Sequence, residues 1–339
     1  MREEINLEEI IIQKDNNFYC AFPDIIKLSN RNLAVVYREA ERRQEGTCHL
    51  DSSSRAVLAR SLDGGLSWKR EGIVYNDEDG IQDPSIAKLR DGTLIANFFK
   101  WQVMKEEPFR HQVKGTFLIS SKDNGKSWDN LIQIPNEEYS LLATSDATVE
   151  LPTGRLLVPV YGNLPGEGSG SLAAISDDKG ISWHLSTMAF DPLQNMDFVE
   201  PALALLPDGT ILCMLRVEKI EQYLWQTYST DGGETWSAPR RTPIWGFPPH
   251  LLVLEDGRLL CSYGYRRPPY GIRACLSEDG GKTWDLQNEI IIRNNGIHRD
   301  LGYPSSVELQ GGKIFTAYYF HDLDHENGVR YIAGSIYEV

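Results

Sequence analysis

Cysteine, long apolar runs and basic residues are all scarce in this sequence, and each shortage excludes a class of protein. The five cysteines among 339 residues lack the spacing of a metal centre or a disulfide framework, so we expect reduced core or strand residues. No apolar run approaches the roughly 20 residues that span a bilayer. Asp and Glu outnumber Lys and Arg by 48 to 34, giving a net charge of −14 that argues against nucleic acid or an anionic membrane surface as a partner.

Linkers and targeting segments are also missing. No Pro/Ser linker, charge block or low-complexity tract interrupts the sequence, so we predict one domain over residues 1–339. The N-terminal stretch Met1-Arg-Glu-Glu-Ile-Asn-Leu-Glu-Glu is acidic and has no hydrophobic region typical of a secretory signal. We therefore expect a cytoplasmic protein, although a secreted chain trimmed of its signal and given a new Met would look the same.

What the sequence does contain is an octapeptide, Ser-x-Asp-x-Gly-x-x-Trp, in five copies. The copies lie about 50 to 60 residues apart, which is the period of a four-stranded propeller blade rather than of a helical solenoid. In each copy the Asp can accept bonds from the amides of its own turn, the Gly supplies a positive φ, and the Trp fills a gap beside a neighbouring strand. We interpret these boxes as scaffold. They begin at Ser61, Ser121, Ser176, Ser229 and Ser277.

A second repeat, x-Pro-x-hydrophobic-x-x-Leu-x-(Asp/Asn)-Gly-x-(Leu/Ile), gives the number of blades. It predicts an innermost strand, a turn and a second strand, such as Ile211–Arg216. The sixth blade lacks a box, so we expect an N-terminal strand within Ile5–Gln13 to complete it by pairing with Val329–Val339. The prediction is an all-β, six-bladed β-propeller with four-stranded antiparallel blades. The repeat begins at Phe22, Asp83, Ser145, Glu200, Pro248 and Tyr303.

The propeller geometry predicts which side chains meet at one mouth of the central channel. The starts of the innermost strands should face the ends of the second strands, and acids, arginines and a tyrosine are dense in both groups. The first group comprises the six repeat starts with Asp24, Asp146 and His250; the second comprises Arg38, Phe99, Lys100, Tyr161, Arg216, Arg266, Arg267 and Tyr319 to His321.

The boxes and the segments between them resemble the sialidase superfamily of Asp-box propellers. Residues 198–216, Phe-Val-Glu-Pro-Ala through Met-Leu-Arg, are similar to the stretch in which a Glu opens blade four and an Arg closes its second strand. Residues 302–309, Gly-Tyr-Pro-Ser-Ser-Val-Glu-Leu, resemble the segment holding the nucleophilic Tyr. Gln82-Asp83-Pro84-Ser85-Ile86 looks like the Asp-Pro strand of blade two.

The resemblance implies a set of roles. Tyr303 would be the nucleophile of an exo-acting glycoside hydrolase and Glu200 its partner, a known Tyr exception among glycosidases. Asp51 would be the acid/base, with Asp24 as the fallback. Substrate-binding roles would fall to Arg216, which would grip a substrate carboxylate, to Arg266, Arg267 or Arg273 of blade five, and to Arg38 and Asp83. The partner is a carbohydrate, and no cofactor or metal is implied.

One departure concerns the substrate. The family begins blade one with Arg-Ile-Pro, whose Arg belongs to the carboxylate-binding triad, whereas this sequence has Ala21-Phe22-Pro23. Without the guanidinium group of this Arg the site should bind a carboxylate less strongly, which weakens selection for sialic acid. We therefore expect a different acidic sugar, or a neutral one.

Histidines supply the alternatives. His250 is more often structural at such a position, but with Tyr303 and an Arg it would also suit an oligosaccharide lyase or a His-dependent glycosidase. A non-catalytic glycan-binding propeller is the third interpretation. The cluster His298, His321, Asp322, Asp324 and His325 has irregular spacing, so we expect solvated turn residues rather than a metal site.

Overall fold

The structure is a computed structural model that describes residues 8–43, 49–103, 111–136, 139, 141–164, 168–219, 221–323 and 328–339. Its regular elements are β-strands, and none of the residues in these ranges forms a helix long and apolar enough to cross a membrane. In chain order the strands are β1 (Glu8–Gln13), β2 (Phe18–Lys27), β3 (Leu33–Glu41), β4 (Arg55–Ser61), β5 (Lys69–Tyr75), β6 (Gly80–Lys88), β7 (Leu94–Val103), β8 (His111–Ser121), β9 (Asp129–Gln133), β10 (Leu141–Thr144), β11 (Val149–Glu150), β12 (Leu156–Leu164), β13 (Gly168–Ser176), β14 (His184–Phe190), β15 (Val199–Leu205), β16 (Ile211–Arg216), β17 (Tyr223–Ser229), β18 (Arg240–Trp245), β19 (Pro249–Val253), β20 (Leu259–Tyr265), β21 (Tyr270–Ser277), β22 (Asp285–Gly296), β23 (Gly302–Glu308), β24 (Lys313–His321) and β25 (Arg330–Glu338).

The strands form six antiparallel sheets, which confirms the predicted six-bladed β-propeller. From the channel outward the blades are β2-β3-β4-β5, β6-β7-β8-β9, β10-β12-β13-β14, β15-β16-β17-β18, β19-β20-β21-β22 and β23-β24-β25-β1. In blade three the innermost strand is split, so that β11 pairs separately with β12. Pairing of β1 with β25 confirms the predicted ring closure over the described part of the N-terminal strand.

The boxes form the turns between the third and fourth strands of five blades. In the first box the Ser67 amide donates to Asp63 Oδ1 at 3.0 Å, and the Gly65 amide donates to Ser61 Oγ at 2.8 Å. The Trp68 indole donates to the Gly65 carbonyl at 2.8 Å and packs 5.5 Å from the Phe315 ring of blade six. The predicted scaffold role is confirmed, because each box closes its own turn and the gap to the preceding blade.

Apolar side chains fill the spaces between neighbouring blades. One cluster joins β2, β3 and β4 of blade one to β23, β24, β25 and β1 of blade six. Four of the five cysteines, Cys20, Cys213, Cys261 and Cys275, are buried and free, as predicted; Cys48 lies outside the described residues.

Two interblade bonds next to the channel come from carboxylates. Asp24 Oδ2 accepts from the Ile86 amide of blade two at 2.7 Å, and Asp146 Oδ2 accepts from the Leu203 amide of blade four at 2.9 Å. Ser305 of blade six donates to Asp24 Oδ1 at 2.5 Å. These bonds tie the innermost strands together around the channel.

The strand starts differ from the prediction in one respect. The repeat positions were expected to begin the innermost strands, but β2 begins at Phe18 and β6 at Gly80, before Phe22 and Asp83. The backbone pairs on both sides of these positions, and the register shifts across them. The proline signal therefore marks a bulge inside the strand.

Candidate active site

Four non-glycine residues at the mouth have a left-handed backbone, and each precedes a proline. The φ angles are 54° for Phe22, 45° for Asp83, 45° for Glu200 and 47° for Tyr303. At each of them the register between the first and second strands shifts. Such a conformation costs on the order of 1–3 kcal/mol per non-glycine residue. Bulges of this kind re-aim a side chain, and here they bring four side chains to one place.

Tyr303 and Glu200 form the centre of this group. The Tyr303 hydroxyl donates to Glu200 Oε1 at 2.6 Å. Arg216 Nη1 donates to Glu200 Oε2 at 2.5 Å and lies 3.5 Å from the Tyr303 hydroxyl. Arg216 Nη2 in turn donates to Glu218 Oε1. The structure thus brings together three of the predicted site residues, from blades four and six.

Burial determines the protonation state of Tyr303. Desolvation raises the pKa of Tyr303 well above its usual range, and the negative charge of Glu200 acts in the same direction, against Arg216 and Arg266. The resting phenol is therefore neutral. Its hydroxyl already donates a hydrogen bond to Glu200, so Glu200 can accept the proton when the phenol oxygen forms a bond.

Asp83 supplies a buried acid beside this pair. Burial, and then the charge of Glu200, raise its pKa well above the usual range of a carboxyl group. Within the described ranges its Oδ1 has no hydrogen-bond partner. A neutral carboxyl group with an open oxygen can exchange a hydrogen bond with a sugar hydroxyl. Arg38 lies nearby, with Nε 3.3 Å from the Ile81 carbonyl oxygen.

Among the blade-five arginines, Arg266 is the one beside Tyr303. Its guanidinium lies 5.5 Å from the centre of the Tyr303 ring and 5.3 Å from that of Phe247. Arg273 instead donates to Glu289 at 2.5 Å and stacks on Tyr265. Arg267, the remaining candidate, donates to the Tyr265 hydroxyl and stacks on Trp245. Arg266 is therefore the blade-five arginine placed beside Tyr303, and which of the three binds a substrate stays a prediction.

Asp51, the acid/base implied by the resemblance, is engaged elsewhere. Its two carboxylate oxygens accept from Arg43 Nε at 3.0 Å and Arg43 Nη2 at 3.2 Å. Although desolvation opposes ionisation, these bonds and the Ser53 amide hold the pKa of Asp51 below its usual value. An ionised, chelated carboxylate is poorly suited to donating a proton.

The remaining candidates line the channel below the mouth. Asp24, Asp146 and His250 border the same narrow cavity as Tyr303 and Phe22. Burial raises the pKa of Asp24 to about 6, while burial and the charge of Asp24 raise that of Asp146 to about 7. Burial lowers the pKa of His250 to about 4, so this imidazole is neutral at pH 7.

His321 is not the solvated turn residue that the sequence predicted. It is fully buried at the end of β24, and its Nδ1 and Nε2 lie 2.9 and 3.2 Å from the carbonyl oxygens of Asp322 and His298. The expectation was wrong because β24 extends to His321 and buries it. Asp324 and His325 lie outside the described residues. Among the residues that are described, no group of three or more His, Cys, Asp or Glu side chains could hold a metal ion.

A second polar cluster at the mouth includes Tyr319, which the sequence predicted there, and three charged or titratable residues that sequence reasoning missed, Asp300, His49 and Arg330. Asp300 Oδ1 lies 3.2 Å from His49 Nε2 and accepts from the Tyr319 hydroxyl at 2.9 Å, while its Oδ2 accepts from Arg330 Nε at 2.8 Å. The Tyr319 hydroxyl also accepts from Arg266 Nη2 at 3.3 Å. The one signal for Asp300 in the sequence was a charged residue two positions before Gly302 of the Gly-Tyr-Pro segment.

Comparisons with known proteins agree with this architecture. The BNR repeat-like domain family matches residues 55–316. A protein of unknown function from Dyadobacter fermentans DSM 18053 is 30% identical, with a TM-score of 0.88 over 98% of both chains. The Hadza microbial sialidase Hz136 is 16% identical, with a TM-score of 0.71 over 95% of this chain and 66% of that one. An α-L-arabinanase from Penicillium chrysogenum, solved with arabinobiose, is 14% identical, with a TM-score of 0.72 over 97% of both chains.

The two enzyme structures share the fold alone at these identities, whereas the family match covers most of the chain. With a family match over residues 55–316, five boxes and six blades, the chain belongs to the BNR repeat-like domain family.

Proposed function

We propose that this protein is an exo-acting, retaining glycoside hydrolase in which Tyr303 attacks the anomeric carbon of a terminal sugar. The 2.6 Å hydrogen bond from the Tyr303 hydroxyl to Glu200 Oε1 carries the proposal. A neutral phenol can approach an anomeric carbon beside an anionic group without the repulsion that a carboxylate nucleophile would meet. Glu200 takes the phenolic proton as the new bond forms, and Arg216 keeps the carboxylate of Glu200 in place.

The charges at the mouth favour a substrate with an acidic group. Arg216 is already paired with two carboxylates, those of Glu200 and Glu218. In the described part of the protein Arg266 has only neutral hydrogen-bond partners, the Leu301 carbonyl at 2.9 Å and the Tyr319 hydroxyl. A guanidinium beside the nucleophile whose hydrogen-bond partners are neutral is suited to a carboxylate. We therefore assign the substrate's anionic group to Arg266.

Product analysis tests the reaction class. The protein is incubated with pooled sialosides, uronides and neutral arabino- and rhamno-oligosaccharides, and the products are followed by mass spectrometry. We expect release of one acidic sugar with the gain of one water, and retention of anomeric configuration in proton NMR. An unsaturated product formed without water would instead support a lyase using His250, and no product from any member of the pool would support a glycan-binding propeller.

A pair of Tyr→Phe variants tests the nucleophile. Tyr303→Phe removes the attacking oxygen and is expected to abolish turnover. Tyr318→Phe is the matched control, because Tyr318 is buried one residue from Tyr319 on β24, and its hydroxyl bonds Ser335 Oγ at 2.8 Å. Turnover by Tyr303→Phe at the wild-type rate would refute the proposed nucleophile.

A further inference from the structure

His49 lies at the same mouth as Tyr303, and the rings of both residues neighbour the ring of Phe22. The Phe22 ring centre is 5.6 Å from that of His49 and 4.6 Å from that of Tyr303. The His49 side chain is 48% exposed, so solvent and ligands reach it. We propose that His49 protonates the leaving oxygen and that Asp300 is the residue that positions it. This inference rests on the proposed function and assigns its missing acid/base.

Asp300 is held in place by several hydrogen bonds. It accepts from the hydroxyls of Tyr19 and Tyr319 and from Arg330 Nε, and its side chain is only 10% exposed. Burial opposes ionisation, but the bonds from His49 and Arg330 hold the pKa of Asp300 well below its usual range. A permanently ionised acceptor of this kind selects one ring nitrogen of a histidine and stabilises its protonated form.

The contacts of His49 leave its second nitrogen for the substrate. Nε2 lies 3.2 Å from Asp300 Oδ1 and 3.2 Å from the Tyr19 hydroxyl. Nδ1 bonds none of the residues that the structure describes. In hydrolases an imidazole transfers protons in this arrangement, with a carboxylate hydrogen-bonded to one ring nitrogen and the other ring nitrogen accessible to the substrate. Asp51, whose carboxylate Arg43 chelates, offers no such accessible group.

The two half-reactions balance with these groups. In the first, the Tyr303 oxygen bonds the anomeric carbon, its proton passes to Glu200, the glycosidic bond breaks, and protonated His49 gives its Nδ1 proton to the leaving oxygen. In the second, water attacks the anomeric carbon, its proton passes to His49 Nδ1, and the bond to Tyr303 breaks. The phenolate then recovers its proton from Glu200. One glycosidic bond and one water are consumed.

The groups that face His49 come from four elements. Tyr19 of β2 and Asp300, which precedes β23, contact it directly. Tyr319 of β24 and Arg330 of β25 act on it through Asp300. Removing the Asp300 carboxylate should therefore release the His49 ring from its fixed orientation and weaken proton transfer to the leaving oxygen.

Leaving-group dependence tests the proposal. The probes are the methyl and 2,4-dinitrophenyl glycosides of the sugar that the product screen releases. His49→Gln retains an amide that can bond Asp300 but cannot exchange a proton. General acid catalysis contributes about 10²- to 10⁴-fold, so we expect a loss of that size on the methyl glycoside. Glycosylation by the dinitrophenyl glycoside, whose leaving group needs no proton, should stay within about tenfold of wild type, by the same Brønsted argument.

Several outcomes separate the two proposals. An equal loss on both glycosides in His49→Gln, or the leaving-group pattern in Asp51→Asn instead, would overturn the role of His49 and leave the hydrolase intact. Full turnover by Tyr303→Phe would refute the nucleophile itself. Asp300→Asn should show the same leaving-group pattern as His49→Gln, with a larger loss on the methyl glycoside than on the dinitrophenyl glycoside; equal effects on both in a variant that is folded by circular dichroism would overturn the positioning role.

Discussion

Asp146 lies in the central channel beside Asp24, and replacing it with asparagine isolates the effect of one buried carboxyl group on stability. Burial and the charge of Asp24 raise its pKa from 3.8 to about 7. The folded state therefore holds the proton more tightly than the unfolded state does. The stability that this carboxyl group contributes is fully present below its unfolded pKa and is lost as the pH rises through its folded pKa. At 1.36 kcal/mol per pKa unit the loss between pH 4 and 8 is roughly 4 kcal/mol.

The assay is urea unfolding at several pH values from 4 to 8, comparing wild type with Asp146→Asn. The amide oxygen can still accept from the Leu203 amide, so the interblade bond persists. The two proteins are compared at each pH because His250 also makes the stability of the wild type depend on pH. Its pKa is lowered from 6.5 to about 4 in the folded state, so His250 makes the protein more stable as the pH rises from about 4 to 6.5, the opposite of the effect of Asp146. We expect the variant to gain on wild type by about 3–4 kcal/mol from pH 4 to 8.

Asp129→Asn, on the exposed strand β9, is the matched control. It makes the same substitution in solvent and should leave the difference from wild type constant. If the difference between wild type and Asp146→Asn is also constant from pH 4 to 8, or changes in the other direction, the buried-acid argument is refuted.

Three further predictions concern the site and the scaffold. Arg266→Ala should lower kcat/KM on an acidic substrate by about 10- to 100-fold, because a hydrogen bond between charged groups is lost. On the carboxyl-reduced analogue kcat/KM should hardly change, and an equal loss on both substrates would contradict anion binding. Gly65→Ala should cost about 1–3 kcal/mol more in urea unfolding than Gly64→Ala, because both have positive φ but only the Gly65 Cβ would lie 2.6 Å from Phe315; equal costs would contradict the clash. Hydrogen bonds from Ser182 and Ser176 lower the pKa of Asp178 to about 2. The stability that the ionised Asp178 contributes is therefore present above the unfolded pKa of 3.8 and is lost as the pH falls through about 2. Asp178→Asn should therefore flatten the melting temperature between pH 4 and 2, whereas a curve parallel to wild type would contradict this.

The architecture was readable from the sequence because repetition multiplies a weak signal. A single Ser-x-Asp-x-Gly-x-x-Trp turn predicts one hairpin, but five copies at a near-constant period leave little choice of fold. Strand β16 has the predicted limits, Ile211–Arg216, because the turn before it and the charged residue that closes it are both local signals. Ring closure by β1 followed from the missing sixth box.

The site was only partly readable because its contacts join distant blades. The meeting of Tyr303 and Glu200 was expected from their matching repeat positions, but the positive φ that aims them was not. The x-Pro signal even argued against it, since a residue before proline is normally extended. His49 and Asp300 are 251 residues apart and carry no motif, so only the fold brings them together.

The four proline-flanked bulges have a consequence for how such a protein changes its substrate. Each bulge delivers one side chain from one blade, while the boxes that stabilise the blades lie in turns between outer strands. Tyr303 and Glu200 bond each other across two blades, whereas Phe22 contributes an aromatic ring, so exchanging Phe22 alters one wall of the mouth and keeps that interblade hydrogen bond. A library limited to position 22 would therefore sample new specificities while the Tyr303–Glu200 pair stays in place.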